Sequence, residues 1–518
     1  MKKTKKLIAL VIAMVMVLAM GATAFAADDA DPTGSIEVTN PTTDPNADTT
    51  TYEAYRIFDM TTDGKTDEDG KYTAVAYTIN EYWAGFFADG KPGAKYIVDT
   101  DPTPGKNLNP ITIEGKTKYI NITDANVADF AKEAFDYAQK NNIAATDTQT
   151  VNKVATSVKF ENLALGYYMV YPKGASVRSG DYTSIVSITN TDPNGQIAQK
   201  AKWPGVEKEA DDISTEVGQK VTYTLKSNVP DTTGYNKKYE MTFADKTSDG
   251  LTFDGVDTIT VKIGTATLVK GTDYTVSTDT ADFSVTIDML KGEEGQKIAK
   301  YTYNDTITIT YTATVNEDAV TKVDENHATL TYNNDPKDEN SKDTTPPVEV
   351  KTYSAKVLIE KVDGADSSKK LEGAKFVLRV GKLGTADGDK HEEDIEVGKY
   401  YKVDDSGVSW VDKDSATVVI TDKNGEASFD GLEDGTYELI EVEAPSGYNL
   451  VTEPIEVTIA GNPADTTTLQ VTATVENNSG TQLPSTGGIG TTIFYVIGAI
   501  LVIGAGVLLV TRRRMNAN

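Results

Sequence analysis

The sequence predicts a mainly β chain: a row of antiparallel β-sandwiches with one helix inserted in the first, a secretory signal in front and a membrane-spanning helix behind. Three observations predict it. Apolar and polar residues alternate with period two through long Thr-, Tyr- and Val-rich runs, as half-buried strands require. Asp-Gly, Asn-Gly and Pro turns break those runs, which is the punctuation of hairpins. Uncharged apolar stretches close both ends, at 7–20 and 489–510.

A chain of 518 residues has room for three or more domains. Lys and Arg number 50 against 78 Asp and Glu, a formal charge of −28. Lys2, Lys3, Lys5, Lys6, Arg512, Arg513 and Arg514 sit at the extremities, where no acid occurs before Asp28 or after position 487. The body is therefore more acidic than the whole, which argues against a nucleic-acid partner, whose phosphates it would repel. The absence of cysteine excludes disulfides, thiolate nucleophiles and Cys-ligated zinc or iron–sulfur centres. Two histidines, His327 and His391, leave little room for a His-based triad or a multi-His metal site, and no metal or cofactor is expected. The acidic segment 63–70 lacks the ligand spacing of a calcium loop and reads as a solvated hairpin tip.

Residues 1–26 read as a signal peptide: lysines, the 14-residue apolar stretch 7–20, then Ala24-Phe25-Ala26 ahead of the cleavage point. That stretch is too short to span a bilayer. The 22 uncharged residues 489–510 would cover about 33 Å as a helix, enough to cross, and Arg512–Arg514 would stay on the cytoplasmic side. Directly before them stand Leu483, Pro484, Ser485, Thr486 and Gly487. Pentapeptide, span and basic tail in this order resemble the LPXTG cell-wall sorting signal of Gram-positive surface proteins. The resemblance implies that a sortase cuts between Thr486 and Gly487 and passes the Thr486 carbonyl to an amine. In this chemistry the protein is a substrate, not the catalyst.

Between the ends, boundaries suggest themselves at Lys202-Trp203-Pro204-Gly205 and Thr344-Thr345-Pro346-Pro347, dividing the body into 27–202, 203–350 and 351–480, with 481–518 as the sorting region. Val221, Tyr223 and Leu225 alternate cleanly, as do Ile307, Ile309, Tyr311, Ala313 and Val315. In the first domain the segments 36–40, 52–58 and 163–170 read as strands. One convincing helix falls near 124–141, where Val127, Phe130, Ala131, Ala134 and Tyr137 follow helical spacing after Thr123/Asp124 as a cap. A second short helix is expected around 82–88.

Parity exposes an anomaly, because residues i, i+2 and i+4 of a strand share a face. In the second domain Lys208 shares its face with Val206 and Ala210, Asp245 with Tyr239, Met241 and Phe243, and Asn326 with Ala328, Leu330 and Tyr332. The third domain repeats the pattern: Lys361 follows Val357 and Ile359, Glu441 follows Tyr437 and Leu439, and Asn477 follows Leu469, Val471, Ala473 and Val475. Twice the chain aims a lysine, an acid and an asparagine at one core. Burial disfavours both charges, so the amine tends to lose its proton and the acid to keep one. A neutral amine is a nucleophile, and a protonated acid polarises the Asn carboxamide. Attack expels ammonia and leaves an intramolecular Lys–Asn isopeptide bond, with Asp245 and Glu441 as the promoting acids. The bland alternative is a buried Lys–acid pair with Asn as a hydrogen-bonding bystander.

These residues also carry a family resemblance. Lys361-Val-Asp, Leu371-Glu-Gly-Ala-Lys-Phe376, Thr421-Asp-Lys-Asn-Gly425 and Tyr437-Glu-Leu-Ile-Glu441-Val-Glu-Ala-Pro-Ser-Gly-Tyr448 resemble a Cna B-type domain over nearly all of 351–480. The last stretch resembles the pilin E-box, with Glu441 as its acid and Val442 in place of the commoner Thr. Asn326-His-Ala-Thr-Leu-Thr-Tyr332 is similar to the middle domain, and Gly166-Tyr-Tyr-Met-Val170 to the N-terminal domain, of sortase-assembled major pilins. The resemblance implies tandem Ig-like, Cna-type sandwiches in a fimbrial backbone subunit. Its partners would be other copies of itself, minor pilins, a class C-type pilus sortase, a housekeeping sortase and peptidoglycan. Thr486 of one subunit would be joined to a lysine of the next. Lys173 completes the literal Tyr171-Pro172-Lys173 of the pilin motif but falls early. Lys200 holds the expected position and, with Ile197 inward, the solvent parity. Lys200 is preferred, then Lys173, then Lys202.

Two other classes compete. A singly anchored adhesin for a host ligand would share the signal, sandwiches and sorting motif, but lack a functional acceptor lysine. A wall-anchored hydrolase using a carboxylate pair has no cleft-forming pattern to support it.

Overall fold

A strand buried on one face alternates; a strand buried on both becomes a continuous apolar run, and the chain uses both kinds. The structure, a computed structural model, describes residues 33–39, 41–62, 65, 67–68, 75–102, 110–113, 115–123, 126–175, 185–188, 194–198, 202–279, 282–383, 397–480 and 496–503. The expected signal peptide 1–26, Lys200, His391 and the 483–487 motif lie outside them, as does most of the acidic segment 63–70. Of the stretch 489–510, residues 496–503 are described and helical; among the described residues no helix is long and apolar enough to cross a membrane. The chain divides into two compact units, one of Met1–Asp211, Lys220–Thr314 and Asp324–Lys351, the other of Asp212–Gln219, Val315–Val323 and Thr352–Asn518.

In the first unit the N-terminal stretch is built on the strand Thr49–Thr62, hydrogen-bonded to Gly166–Pro172, Val75–Ile79 and Asp147–Asn152. Its alternation serves two cores. Tyr52 and Ala54, with Tyr168 and Val170, face the small sheet of Thr33–Thr39, Ser157–Ala164 and Asn194–Ala198. Tyr55 and Ile57, with Met169 and Tyr171, face the helix Val127–Lys140 through Phe130, Ala134, Phe135 and Ala138. Burial on both sides accounts for the apolar run Tyr167–Tyr171.

Three local expectations are corrected. The stretch 163–170 is two strands, Ser157–Ala164 and Gly166–Pro172, with Leu165 between them. The helix starts at Val127 behind Asn126, whose side chain reaches back to accept from the Thr123 N–H at 2.7 Å; Asn126, not Thr123, holds the cap position, and Asp124 lies outside the described residues. Around 82–88 the helix is a single 3-10 turn, Glu81–Trp83, capped by the Asn80 side chain.

The same unit holds a sandwich of two six-stranded sheets. One contains Glu207–Ala210, Lys220–Asn228 and Thr306–Val315 in that order; the other contains Phe283–Asp288, Glu240–Thr247 and Val323–Asn333. Inward positions are filled by Val221, Tyr223, Leu225, Met241, Phe243, Ile307, Ile309 and Leu330, all essentially buried.

The second unit is a sandwich with one sheet of Asp366–Lys370, Ala355–Asp363, Glu426–Leu432 and Gln470–Asn477 facing a six-stranded sheet centred on Lys375–Leu383 and Gly435–Glu443. Its first and last strands, Ala355–Asp363 and Gln470–Asn477, pair in parallel, with Lys361 opposite Val475 and Asp363 opposite Asn477.

Candidate functional site

Each sandwich sets a lysine, an acid and an asparagine into its core, on different frameworks. In the first unit Lys208 comes from the short strand Glu207–Ala210 of one sheet. Asp245 and Asn326 come from adjacent strands of the opposite sheet, Asp245 lying opposite Ala328 and Asn326 opposite Thr247. The Lys208 and Asp245 side chains are wholly buried, and so is Asn326. Lys208 Nζ donates to Asp245 Oδ2 and, at 2.8 Å each, to Asn326 Oδ1 and the Tyr311 hydroxyl. Tyr311 donates to Asp245 Oδ1 at 2.6 Å and accepts from Asn326 Nδ2 at 2.8 Å. An aromatic wall closes the pocket: Tyr223 stacks on Tyr311 with centroids 5.5 Å apart, and Phe283 meets the Tyr311 ring edge-on at 4.7 Å.

Burial pushes the Lys208 ammonium down to about 8, against the opposing pull of Asp245. Burial also raises the Asp245 carboxyl, while Lys208 and the Tyr311 hydroxyl work the other way. Burial and the neighbouring Asp245 raise the Tyr311 phenol, keeping its proton in place. Burial thus moves both groups toward their neutral forms, the direction a nucleophilic amine requires.

In the second unit Lys361 and Asn477 come from the parallel first and last strands of one sheet, and Glu441 from Gly435–Glu443 of the other. Lys361 Nζ lies 4.0 Å from Glu441 Oε1, both side chains fully buried. It donates to the Val475 carbonyl at 2.7 Å. Asn477 Nδ2 donates directly to Glu441 Oε2 at 2.9 Å and to the Asn449 carbonyl at 2.6 Å. The Val451 N–H also binds Glu441 Oε2, at 2.7 Å. Burial lowers the Lys361 ammonium to about 8. The strand carrying Lys361 is registered by Gly425: the Lys361 N–H donates to the Gly425 carbonyl at 2.7 Å. Gly425 has φ +74°, and a Cβ there would lie 2.5 Å from the Lys361 carbonyl oxygen, so only glycine fits the Asn-Gly turn.

The sequence reading aimed all six of these residues inward; it passed over Tyr311, which shares its face with Ile309 and Ala313 and read as core. Its signal was a hydroxyl at an inward position, which burial obliges to find a partner. Of the acceptor candidates, Lys173 follows the strand Gly166–Pro172 and pairs with Asp335 at 2.7 Å. Lys202 is exposed, and Lys200 lies outside the described residues. Glu325, His327 and Glu349 gather at the surface. Lys351 Nζ already pairs with both carboxylates, 3.2 Å from Glu325 and 3.4 Å from Glu349.

Three segments of the chain are similar to known families. Residues 217–336 match the Gram-positive pilin backbone subunit 2, Cna-B-like domain; residues 355–476 match a prealbumin-like fold domain; residues 475–517 match the LPXTG cell wall anchor motif. The middle segment is thus similar to the Gram-positive pilin backbone family, in a chain that carries the wall-anchor motif. Among individual proteins, the chain is similar to fimbrial subunit type 2 of Actinomyces naeslundii, 28% identical over 317 residues covering 58% of each. It is also similar to fimbrial subunit type 1 of Actinomyces viscosus, 26% identical over 359 residues, 62% of this chain and 66% of that one. The match thus spans less than two thirds of either relative. Among solved structures, the group B streptococcus pilus 2b backbone protein is 26% identical, covering 54% of this chain and 99% of its own, with a TM-score of 0.42.

Proposed function

We propose that the chain is the shaft subunit of a covalent surface pilus, a structural protein polymerised by sortase and anchored to the Gram-positive cell wall. One observation supports this reading most: successive sandwiches each bury a Lys–acid–Asn cluster, and the chain then runs into a sorting motif. A wall anchor alone needs only the motif. Two internally cross-linked modules in series suit a fibre that is pulled from its ends.

Within each sandwich the neutral lysine attacks the asparagine Cγ, the acid holds the transferred proton, and ammonia leaves. Lys208 is joined to Asn326 with Asp245 as the acid, and Lys361 to Asn477 with Glu441. A pilus sortase, of the class C type, cleaves between Thr486 and Gly487 and transfers the Thr486 carbonyl to Lys200 of the next copy. The ion pair to Asp335 occupies Lys173, which fits its second rank; Lys202 is third. A housekeeping sortase transfers the finished polymer, with its minor pilins, to peptidoglycan. The names of the similar fimbrial subunits agree with this reading.

The test is a search of muramidase-released wall material, by mass spectrometry, for a branched peptide ending in Thr486. Thr486 bonded to a lysine of another copy establishes the shaft and its acceptor. Thr486 found only on cross-bridge amines of peptidoglycan replaces the shaft with a singly anchored surface protein.

A further inference from the structure

The two clusters differ in how the acid reaches the leaving nitrogen. In the second unit Glu441 Oε2 accepts directly from Asn477 Nδ2 at 2.9 Å, and the other hydrogen bonds of the three side chains go to backbone groups. In the first unit no hydrogen bond joins Asp245 to Asn326 among the described residues. Aspartate is one methylene shorter than glutamate, and the Tyr311 hydroxyl fills the gap, 2.6 Å from Asp245 Oδ1 and 2.8 Å from Asn326 Nδ2. The same oxygen lies 2.8 Å from the nucleophile, Lys208 Nζ. Stacking on Tyr223 and the edge contact with Phe283 fix the ring, so the hydroxyl is held among all three reacting groups.

We propose that Tyr311 is a catalytic residue of the first unit's cross-linking reaction, relaying a proton from the Asp245 carboxyl to the departing Nδ2 of Asn326. The inference rests on the reading that Lys208 and Asn326 form an amide. The reaction starts from a neutral Lys208 amine and a protonated Asp245. The Nζ lone pair bonds to Asn326 Cγ as the carbonyl π pair moves onto Oδ1. Nζ passes one proton to Asp245 Oδ2, which it already contacts. Attack makes Nδ2 pyramidal and able to accept, so the two hydrogen bonds through Tyr311 reverse: the proton on Asp245 Oδ1 moves to the Tyr311 oxygen while the phenolic proton moves to Nδ2. The C=O re-forms, the Cγ–Nδ2 bond breaks, and ammonia departs with the bonding pair. One amine and one carboxamide become one secondary amide and one ammonia; Asp245 ends a neutral acid again, its proton now on Oδ2, and Tyr311 ends as it began. Each carboxyl oxygen serves one end of the transfer, Oδ2 the nucleophile and Oδ1, through Tyr311, the leaving group. Glu441 performs the leaving-group half without an intermediary.

The experiment follows the full chain after a pulse of synthesis, with mass spectrometry of the branched peptides at timed intervals. The Lys361–Asn477 peptide serves as an internal control. In Y311F the Lys208–Asn326 peptide should form roughly 100-fold more slowly, the scale of a lost general acid, while the control is unchanged. Y311F/D245E should restore it, because the longer acid reaches Asn326 directly. Wild-type speed in Y311F overturns the relay alone. Slow linking that D245E does not rescue also overturns it, leaving Tyr311 a packing role. A wild-type chain without the branched peptide overturns the underlying cross-link reading instead.

Discussion

Asp245 and Asn326 lie on adjacent strands of one sheet, yet the Asn326 Nδ2 reaches the acid through Tyr311 of the opposite sheet, at 2.6 and 2.8 Å. Asn477 and Glu441 span two sheets and touch directly. The two sandwiches thus reach one set of reacting groups from different frameworks, and the acid's length and position decide whether a third side chain is needed.

Removing the acid should stop the bond and expose the penalty it hides. In D245A the Lys208 ammonium stays buried with its charge partner gone, which destabilises a fold by about 3–5 kcal/mol. The expected result is an intact mass one ammonia heavier than that calculated for a D245A chain with both bonds, with a lowered unfolding midpoint. A D245A chain that still loses two ammonias in total removes Asp245 from the reaction.

The unlinked state should be more stable at alkaline pH. In an N326A/N477A chain Lys208 and Lys361 remain buried amines, both held down to about 8 by burial, while the unfolded chain restores their ordinary value near 10.5. Below the folded value both states are protonated and the burial penalty is constant. Above it the native state binds fewer protons than the unfolded one, so stability rises with pH from about 8 to about 9.5; beyond that, ionising tyrosines of the unfolded chain oppose the trend. Urea midpoints measured across this window should climb. A flat or falling profile means that the lysines are not buried as amines.

Much of this site was legible in the sequence because strand parity is rigid: Lys208, Asp245, Asn326, Lys361, Glu441 and Asn477 each share a face with two or more apolar residues at two-residue spacing. Parity says which face a residue takes and nothing about which strands are neighbours. It therefore left unread that Lys208 faces Asn326 across two sheets while Lys361 and Asn477 lie in one, on parallel strands. Tyr311 escaped for a related reason, since a tyrosine at an inward position fits a core and a site equally well. The division of 163–170 at Leu165 was hidden because the apolar run there reflects burial on both faces, which carries no period.

Gly425 should be intolerant of a side chain. Its positive φ costs an alanine about 1 kcal/mol, and a Cβ 2.5 Å from the Lys361 carbonyl would displace the strand that presents the nucleophile. G425A should lower the midpoint of the second unit and slow the Lys361–Asn477 bond, leaving the Lys208–Asn326 bond unaffected. Equal yields of both branched peptides in G425A remove the turn from the register argument.

Lys200→Ala should abolish the high-mass ladders of wall extracts, whereas Lys173→Ala should keep them. Lys173 is partly exposed and bound to Asp335; loss of such a pair costs less than about 1 kcal/mol, too little to unfold the chain. Ladders that vanish in Lys173→Ala and persist in Lys200→Ala reverse the order of the two.

Force supplies the last prediction. Tension along a fibre enters each sandwich near its first strand and leaves near its last. A bond from Lys361 to Asn477 ties those two strands side by side in one sheet, so the pull crosses from one to the other without loading the strands between. A bond from Lys208 to Asn326 does the same across two sheets, where the hydrogen-bond ladders alone would not connect the ends. In single-molecule stretching the wild-type chain should therefore show neither sandwich unravelling. N477A should release the segment between 361 and 477 as one added step of roughly 400 Å, at about 3.4 Å per residue extended. N326A should add a step of similar length from 208 to 326, and the double variant should show both. Steps of this length in the wild type would mean that the clusters are buried ion pairs and that the strands carry the load unaided.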